Sequence, residues 1–157
     1  MSAHSPHEPR LSYEAFAKTA AYAALLSLGK SVDESGLEKS LTEIAKLRAS
    51  QINGCAFCIQ YHLTVARRLA VPPEKLDLIA AWREAGVFTP RELAALAWTE
   101  ALTLTAGGPP SDADYADLLA VFSAEEAMHL TVAIGTINQW NRIAVALRFA
   151  PPLARAA

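Results

Sequence analysis

The sequence predicts an all-α domain of about seven helices, and three observations predict it. Apolar residues recur at spacings of three and four along most of the chain, the period of a helix with one buried face. No segment alternates apolar and polar residues for long enough to make a strand. Proline, glycine and capping signals fall between the periodic stretches and leave short loops. At 157 residues the chain fits one domain. No repeat, low-complexity tract or internal boundary is visible. The expected division is a flexible leader over 1–10 and a single all-α domain over 11–157.

Each element has its own signal. Residues 1–10 hold Ser, His and Pro without periodicity, so His4 and His7 read as solvated tail residues. From Ser12 the pattern is helical, with Phe16, Tyr22, Leu25 and Leu28 on an apolar face and Gly29 as a stop. The apolar stretch 19–28 could pass for a signal-peptide core. Glu8 and Glu14 precede it and no Ala-x-Ala site follows, so an Ala-rich amphipathic helix is expected. A second helix over about 36–51 carries Leu37, Leu41, Ile44 and Leu47. Asn53-Gly54, a pair that favours positive φ, breaks it.

A third helix is expected from Cys55 to about Leu69, and a fourth from Pro72-Pro73 to Ala85, closed by Gly86. Thr89, Pro90 and Glu92 combine an N-cap, a first-turn proline and a capping-box carboxylate, opening a helix to about Thr105. Ser111 caps a short helix to Val121, and Ser123 with Glu126 opens the last one, to about Phe149. Leu130, Val132, Ile134, Ile137, Trp140, Ile143, Val145 and Leu147 make that last helix apolar on most sides. It is therefore expected either at the centre of the domain or covered by another copy.

Composition narrows the function. The chain is 52% hydrophobic and 19% charged, a slight apolar surplus that fits buried surface at a subunit interface. Its net charge is −2 with Lys and Arg scattered, which argues against nucleic acid and against a polybasic membrane contact. No run approaches the ~20 apolar residues that span a bilayer. Two cysteines three apart are no secreted disulfide framework, and a cytoplasmic setting is expected.

Those cysteines carry the chemistry. If Cys55 begins a helix, Cys58 and His62 follow at i+3 and i+7, within ~60° of one another on one stripe. A thiol is reactive as thiolate, and its pKa falls at helix N-termini, beside histidine and in C-x-x-C motifs. All three influences point to a low-pKa Cys58 as the attacking sulfur, with Cys55 resolving. Two alternatives stay open: inert packing of the three side chains, and a metal site adding His129 or Glu43 to them. Glu43, twelve residues before Cys55, is either a capping-box residue after Ser40 or, if Ser35 caps, a carboxylate inside the helix in need of a partner.

Glu43 with Cys55-x-x-Cys58-x-x-x-His62 resembles the core of the AhpD-like alkylhydroperoxidases, in the carboxymuconolactone decarboxylase superfamily. Residues 44–54 (IAKLRASQING), 96–102 (LAWTEAL) and 137–142 (INQWNR) read like the same family, and the likeness spans about 35–148. The resemblance implies an all-helical fold assembled as homotrimers or homohexamers. It implies reduction of an organic hydroperoxide or hydrogen peroxide by Cys58, with Cys55 resolving, His62 taking the thiol proton and Glu43 holding or relaying protons to His62. It calls for no metal or flavin cofactor, and for an external dithiol reductant, a lipoylated or thioredoxin-like protein. One position departs: Phe57 stands where the best-known peroxidase of the family has a histidine, which shortens the proton relay. The decarboxylase branch lacks the cysteine pair, which argues against lactone decarboxylation. Of the remaining polar residues, Glu100 is expected in a buried pairing with Arg142, and His129 in packing or an interface.

Overall fold

In this computed structural model, which describes residues 8–153, nine α-helices and two short 3-10 turns make up the regular structure. They are α1 (Tyr13–Phe16), α2 (Ala20–Asp33), α3 (Lys39–Ile52), α4 (Ala56–Arg68), α5 (Pro73–Leu78), α6 (Trp82–Ala85), α7 (Pro90–Thr103), α8 (Asp112–Leu119) and α9 (Ala124–Leu147). The described residues contain no strand, as the periodicity predicts. His4, His7 and most of the expected leader lie outside the described residues. Within it, Arg10 bonds through its backbone N–H to the Leu147 carbonyl at 2.9 Å and through its guanidinium to that of Ala146 at 3.0 Å.

Three starts follow their caps closely. Thr89 with Glu92, Ser111 with Asp114 and Ser123 with Glu126 each form reciprocal side-chain–backbone bonds at the head of α7, α8 and α9. These boxes satisfy amide N–H groups that the helix itself cannot.

Other boundaries differ from the sequence expectation. The first stretch is two helices, because Thr19 turns extended and its hydroxyl accepts the Tyr22 N–H at 3.1 Å, starting α2 afresh. Gly29 does not stop α2, which runs on to Asp33; a helical glycine costs only about 1 kcal/mol, less than the packing of Leu25 and Val32 supplies. Neither Ser35 nor Ser40 forms a capping box. Ser35 donates instead to the Val32 carbonyl, and α3 starts from Glu38 without a side-chain cap. The expected fourth helix is α5, a 3-10 turn over Ile79–Ala81 and α6, ended by Gly86 at φ 67°.

The core forms around α3. Leu41 and Ala45 pack with Trp98, Leu118, Leu130 and Ile134 of α7, α8 and α9. Ile44 and Leu47 pack with Ala66, Leu76, Trp82 and Leu96 on the opposite side. Ala49 joins Phe16, Leu25, Ile137, Phe149 and both cysteines in a third cluster. The helix buried on most sides is therefore α3 and not α9, whose Met128 and Val145 remain half exposed. Hydropathy hides this because α3 also buries Thr42, Glu43 and Ser50, polar groups that must each find a partner. Thr42 and Ser50 do so by donating to the Lys39 and Lys46 carbonyls within the helix. No single helix among the described residues is long and apolar enough to cross a membrane.

Candidate active site

The cysteine turn begins where α3 ends. Gly54, at φ 64°, reverses the chain, and the Cys55 N–H returns to the Ser50 carbonyl at 3.0 Å. Cys55 is then the N-cap of α4, and its Sγ accepts the Cys58 backbone N–H at 3.4 Å. A sulfur here replaces the hydroxyl or carboxylate that usually caps a helix. Cys58 occupies the first turn, and His62 lies one turn further on.

The two sulfurs are reduced, buried, and in different electrostatic positions. The neighbouring Cys58 thiol and amide pull the Cys55 thiol down to about 7, more than burial pushes it up, with help from Asn141 and the Phe57 amide. Cys58 is pushed well above the ordinary thiol range, first by its own proton-sharing with Cys55 and then by burial. The acidified sulfur is thus Cys55, whereas the motif pointed to Cys58. The reason is local: the N-cap position collects the amide donors, and the His62 ring bonds to Glu43, not to the Cys58 thiol, among the described residues.

Glu43 reaches this region from α3. Its Oε2 lies 2.6 Å from His62 Nδ1, and its Oε1 accepts from Lys46 Nζ at 2.9 Å. Burial raises the Glu43 pKa, but the His62 bond and the Lys46 charge offset it and hold the carboxyl below its ordinary range. Of the two positions the sequence allowed for Glu43, the structure takes the one inside the helix.

A cavity of about 270 Å³ opens beside these groups. Cys58, His62, Glu43 and Lys46 line it, whereas Cys55 does not. Its apolar wall comes from α1, α2 and α9, through Tyr13, Tyr22, Leu25, Ile137 and Trp140. Phe57 packs between Tyr13 at 5.2 Å and Phe149 at 5.6 Å, centroid to centroid. That position is part of an aromatic wall and carries no exchangeable proton.

Buried amides fix the site from the α9 side. Asn53 Nδ2 donates to both Asn138 Oδ1 and Asn141 Oδ1 at 2.9 Å, and Asn141 Nδ2 donates to Ser50 Oγ at 3.0 Å. Glu100 stands apart from the cavity. It pairs with Arg48 and Arg83 and accepts from Trp82 Nε1, in place of the expected Arg142, which bonds to the Asn138 carbonyl. Arg48 reaches Glu100 because both face the interior between α3 and α7, a tertiary contact that sequence spacing does not encode. His129 is half-buried on α9 and is not part of the cavity wall. No three His, Cys, Asp or Glu side chains converge as a metal ligand set among the described residues.

Sequence reasoning missed Lys46, Tyr13 and Tyr22. Lys46 follows Glu43 by three residues and could have been read as its helical neighbour. The tyrosines lie more than thirty residues from the cysteines and gave no signal of their own.

The carboxymuconolactone decarboxylase family model matches residues 19–101. An uncharacterised protein of Bacillus subtilis, YdfG, is 32% identical over 123 residues, covering 78% of this chain and 84% of that protein. A crystal structure of an Agrobacterium tumefaciens protein of unknown function, provisionally assigned to antioxidant defence as AhpD, superposes with a TM-score of 0.87 and 41% identity. It covers 94% of this chain and all of that one, 100%. The debrominase Bmp8, at 22% identity and a TM-score of 0.74 over 82% of this chain and 69% of its own, shares the fold.

Proposed function

Because this chain belongs to the carboxymuconolactone decarboxylase family, in its AhpD-like branch, we propose that it is a thiol-dependent peroxidase acting through Cys58 and Cys55. The observation that carries this reading is the placement of Cys58 on the cavity wall, with His62 and Glu43 facing the same space and Cys55 one turn away.

The cycle starts with a proton. Cys58 holds it at rest, and releases it to His62, whose Nδ1 is committed to Glu43 so that Nε2 is the accepting nitrogen. The Cys58 thiolate attacks the terminal oxygen of a hydroperoxide. An S–O bond forms, the O–O bond breaks, and the departing oxygen takes a proton to leave as an alcohol, or as water from hydrogen peroxide. Cys55, as thiolate, then attacks the sulfenic sulfur. The disulfide forms, hydroxide departs and takes the proton held by His62 to become water, and a lipoyl or thioredoxin-like dithiol restores both thiols. No step calls on a metal or a flavin. We place this work in the cytosol, where thiols are kept reduced.

Phe57 supports a second reading, a disulfide oxidoreductase or redox-sensing protein using the same pair, because the wall beside Cys58 lacks a second proton carrier at that position. Stopped-flow oxidation by cumene hydroperoxide separates the two. Cys58→Ser is expected to abolish the fast phase, and Cys55→Ser to react once and stop at a sulfenic acid detectable by mass. A Cys58→Ser protein that oxidises as fast as the parent overturns the peroxidatic assignment. Thiol–disulfide exchange without fast peroxide consumption favours the second reading.

A further inference from the structure

We propose that the paired phenols of Tyr13 and Tyr22 donate the proton that the departing oxygen of the hydroperoxide needs; this rests on the peroxidase reading above. The two hydroxyls lie 3.1 Å apart and both residues line the cavity that Cys58 faces. A hydroxyl pair holds two protons and spends one between its oxygens. Neither phenol has a further partner among the described residues, so one O–H is left for an oxygen entering the cavity.

The chemistry needs such a donor. Breaking the O–O bond of an alkyl hydroperoxide leaves an alkoxide, a far stronger base than any resting group here, and it leaves only as fast as it is protonated. Glu43 cannot supply the proton, because both its oxygens are engaged and the carboxyl is held ionised, and the single proton that His62 takes from Cys58 serves the hydroxide expelled in the second step. Phe57 has none to give. Tyr13 packs its ring on Phe57, the residue preceding Cys58, at 5.2 Å, and Tyr22 packs on Trp140 across the same wall at 5.8 Å. Burial and the Tyr22 bond keep Tyr13 protonated across the working pH range. On O–O cleavage the tyrosine O–H bond breaks, an O–H bond forms on the alcohol, and the phenolate regains a proton from solvent through its partner hydroxyl.

Tyr13→Phe, Tyr22→Phe and the double variant keep the rings that build the wall and remove the protons. Against cumene hydroperoxide, which leaves as an alkoxide, the double variant is expected to oxidise about 10²-fold more slowly, the usual scale of general acid catalysis. Against peracetic acid, which leaves as a stable carboxylate, it should keep nearly the parent rate. Alkylation of Cys58 by iodoacetamide expels iodide, which needs no proton, and should not change. An equal loss with both peroxides and with iodoacetamide, or no loss with any, overturns the tyrosine assignment. So does a Lys46→Met protein that alone reproduces the selective loss. If the parent chain is inert to both peroxides while Cys58 alkylates normally, the peroxidase reading itself fails, and the tyrosine assignment goes with it.

Discussion

Glu43 is a buried carboxylate whose two oxygens serve two different partners, His62 and Lys46. Glu43→Gln keeps the shape and removes the charge, leaving Lys46 and His62 with a weaker acceptor. It is expected to destabilise the fold by roughly 1–3 kcal/mol in urea denaturation near neutral pH. The sign with pH follows from the lowered pKa of Glu43. A carboxyl held below its ordinary value of 4.5 contributes fully above that value and loses its contribution as pH falls through its folded pKa. The gap between parent and variant should therefore close on acidification. For Cys55, thiolate ultraviolet absorbance is expected to titrate near 7 in the parent and to vanish in Cys55→Ser. Asn141→Ala, which removes one of the groups favouring the thiolate, should move that midpoint upward. The Cys55, Cys58 and His62 stripe was legible in the sequence because all three sit on one helix, where spacing fixes direction. The division of charge between the sulfurs was not, since it depends on which one occupies the N-cap and on a side chain of α9. The position of Glu43 was legible only as two options, resolved by a partner on α4.

At the scale of the element, capping chemistry was the part most readily read. Boxes opening α7 and α9 involve residues three apart, so local sequence contains the whole interaction. The turn between α3 and α4 is equally local. Gly54 sits at φ 64° with open space where a Cβ would project, so Gly54→Ala meets no clash and its cost is conformational alone. That cost is about 1–2 kcal/mol, measurable by chemical denaturation. Because the turn places Cys55 at the cap, the variant should also slow peroxide oxidation. The central place of α3 was less legible, since its inner face mixes Ile44 and Leu47 with Thr42, Glu43 and Ser50, and a hydropathy pattern discounts polar residues whose partners lie on other helices. The broken course of α5 and α6 was missed for a related reason: Trp82 and Ile79 each seek the core, and a 3-10 turn lets both reach it.

Across the whole molecule, the apolar surplus read from composition ends up partly on the surface. Leu26, Leu104, Met128 and Val145 are each at least 50% exposed, too many large apolar groups in one small chain to leave without a question about what covers them. Light scattering at micromolar concentration is expected to give three or six times the chain mass of 16.8 kDa. A single 16.8 kDa species would remove that expectation. The all-α class itself was fully legible, because period and loop signals agree along the chain. The cavity was not, because its walls come from five helices, α1 to α4 and the distant α9.

The asymmetry between the two sulfurs also governs how the proposed disulfide would be reopened. Cys58 faces the cavity and Cys55 does not, so an incoming dithiol has one sulfur it can reach. Attack at Cys58 expels Cys55, the more acidic thiol of the pair, and a sulfur of low pKa departs faster than an ordinary one. The helix cap that acidifies Cys55 therefore sets the direction and the speed of regeneration. A mixed disulfide with the reductant is expected to build up on Cys58 alone.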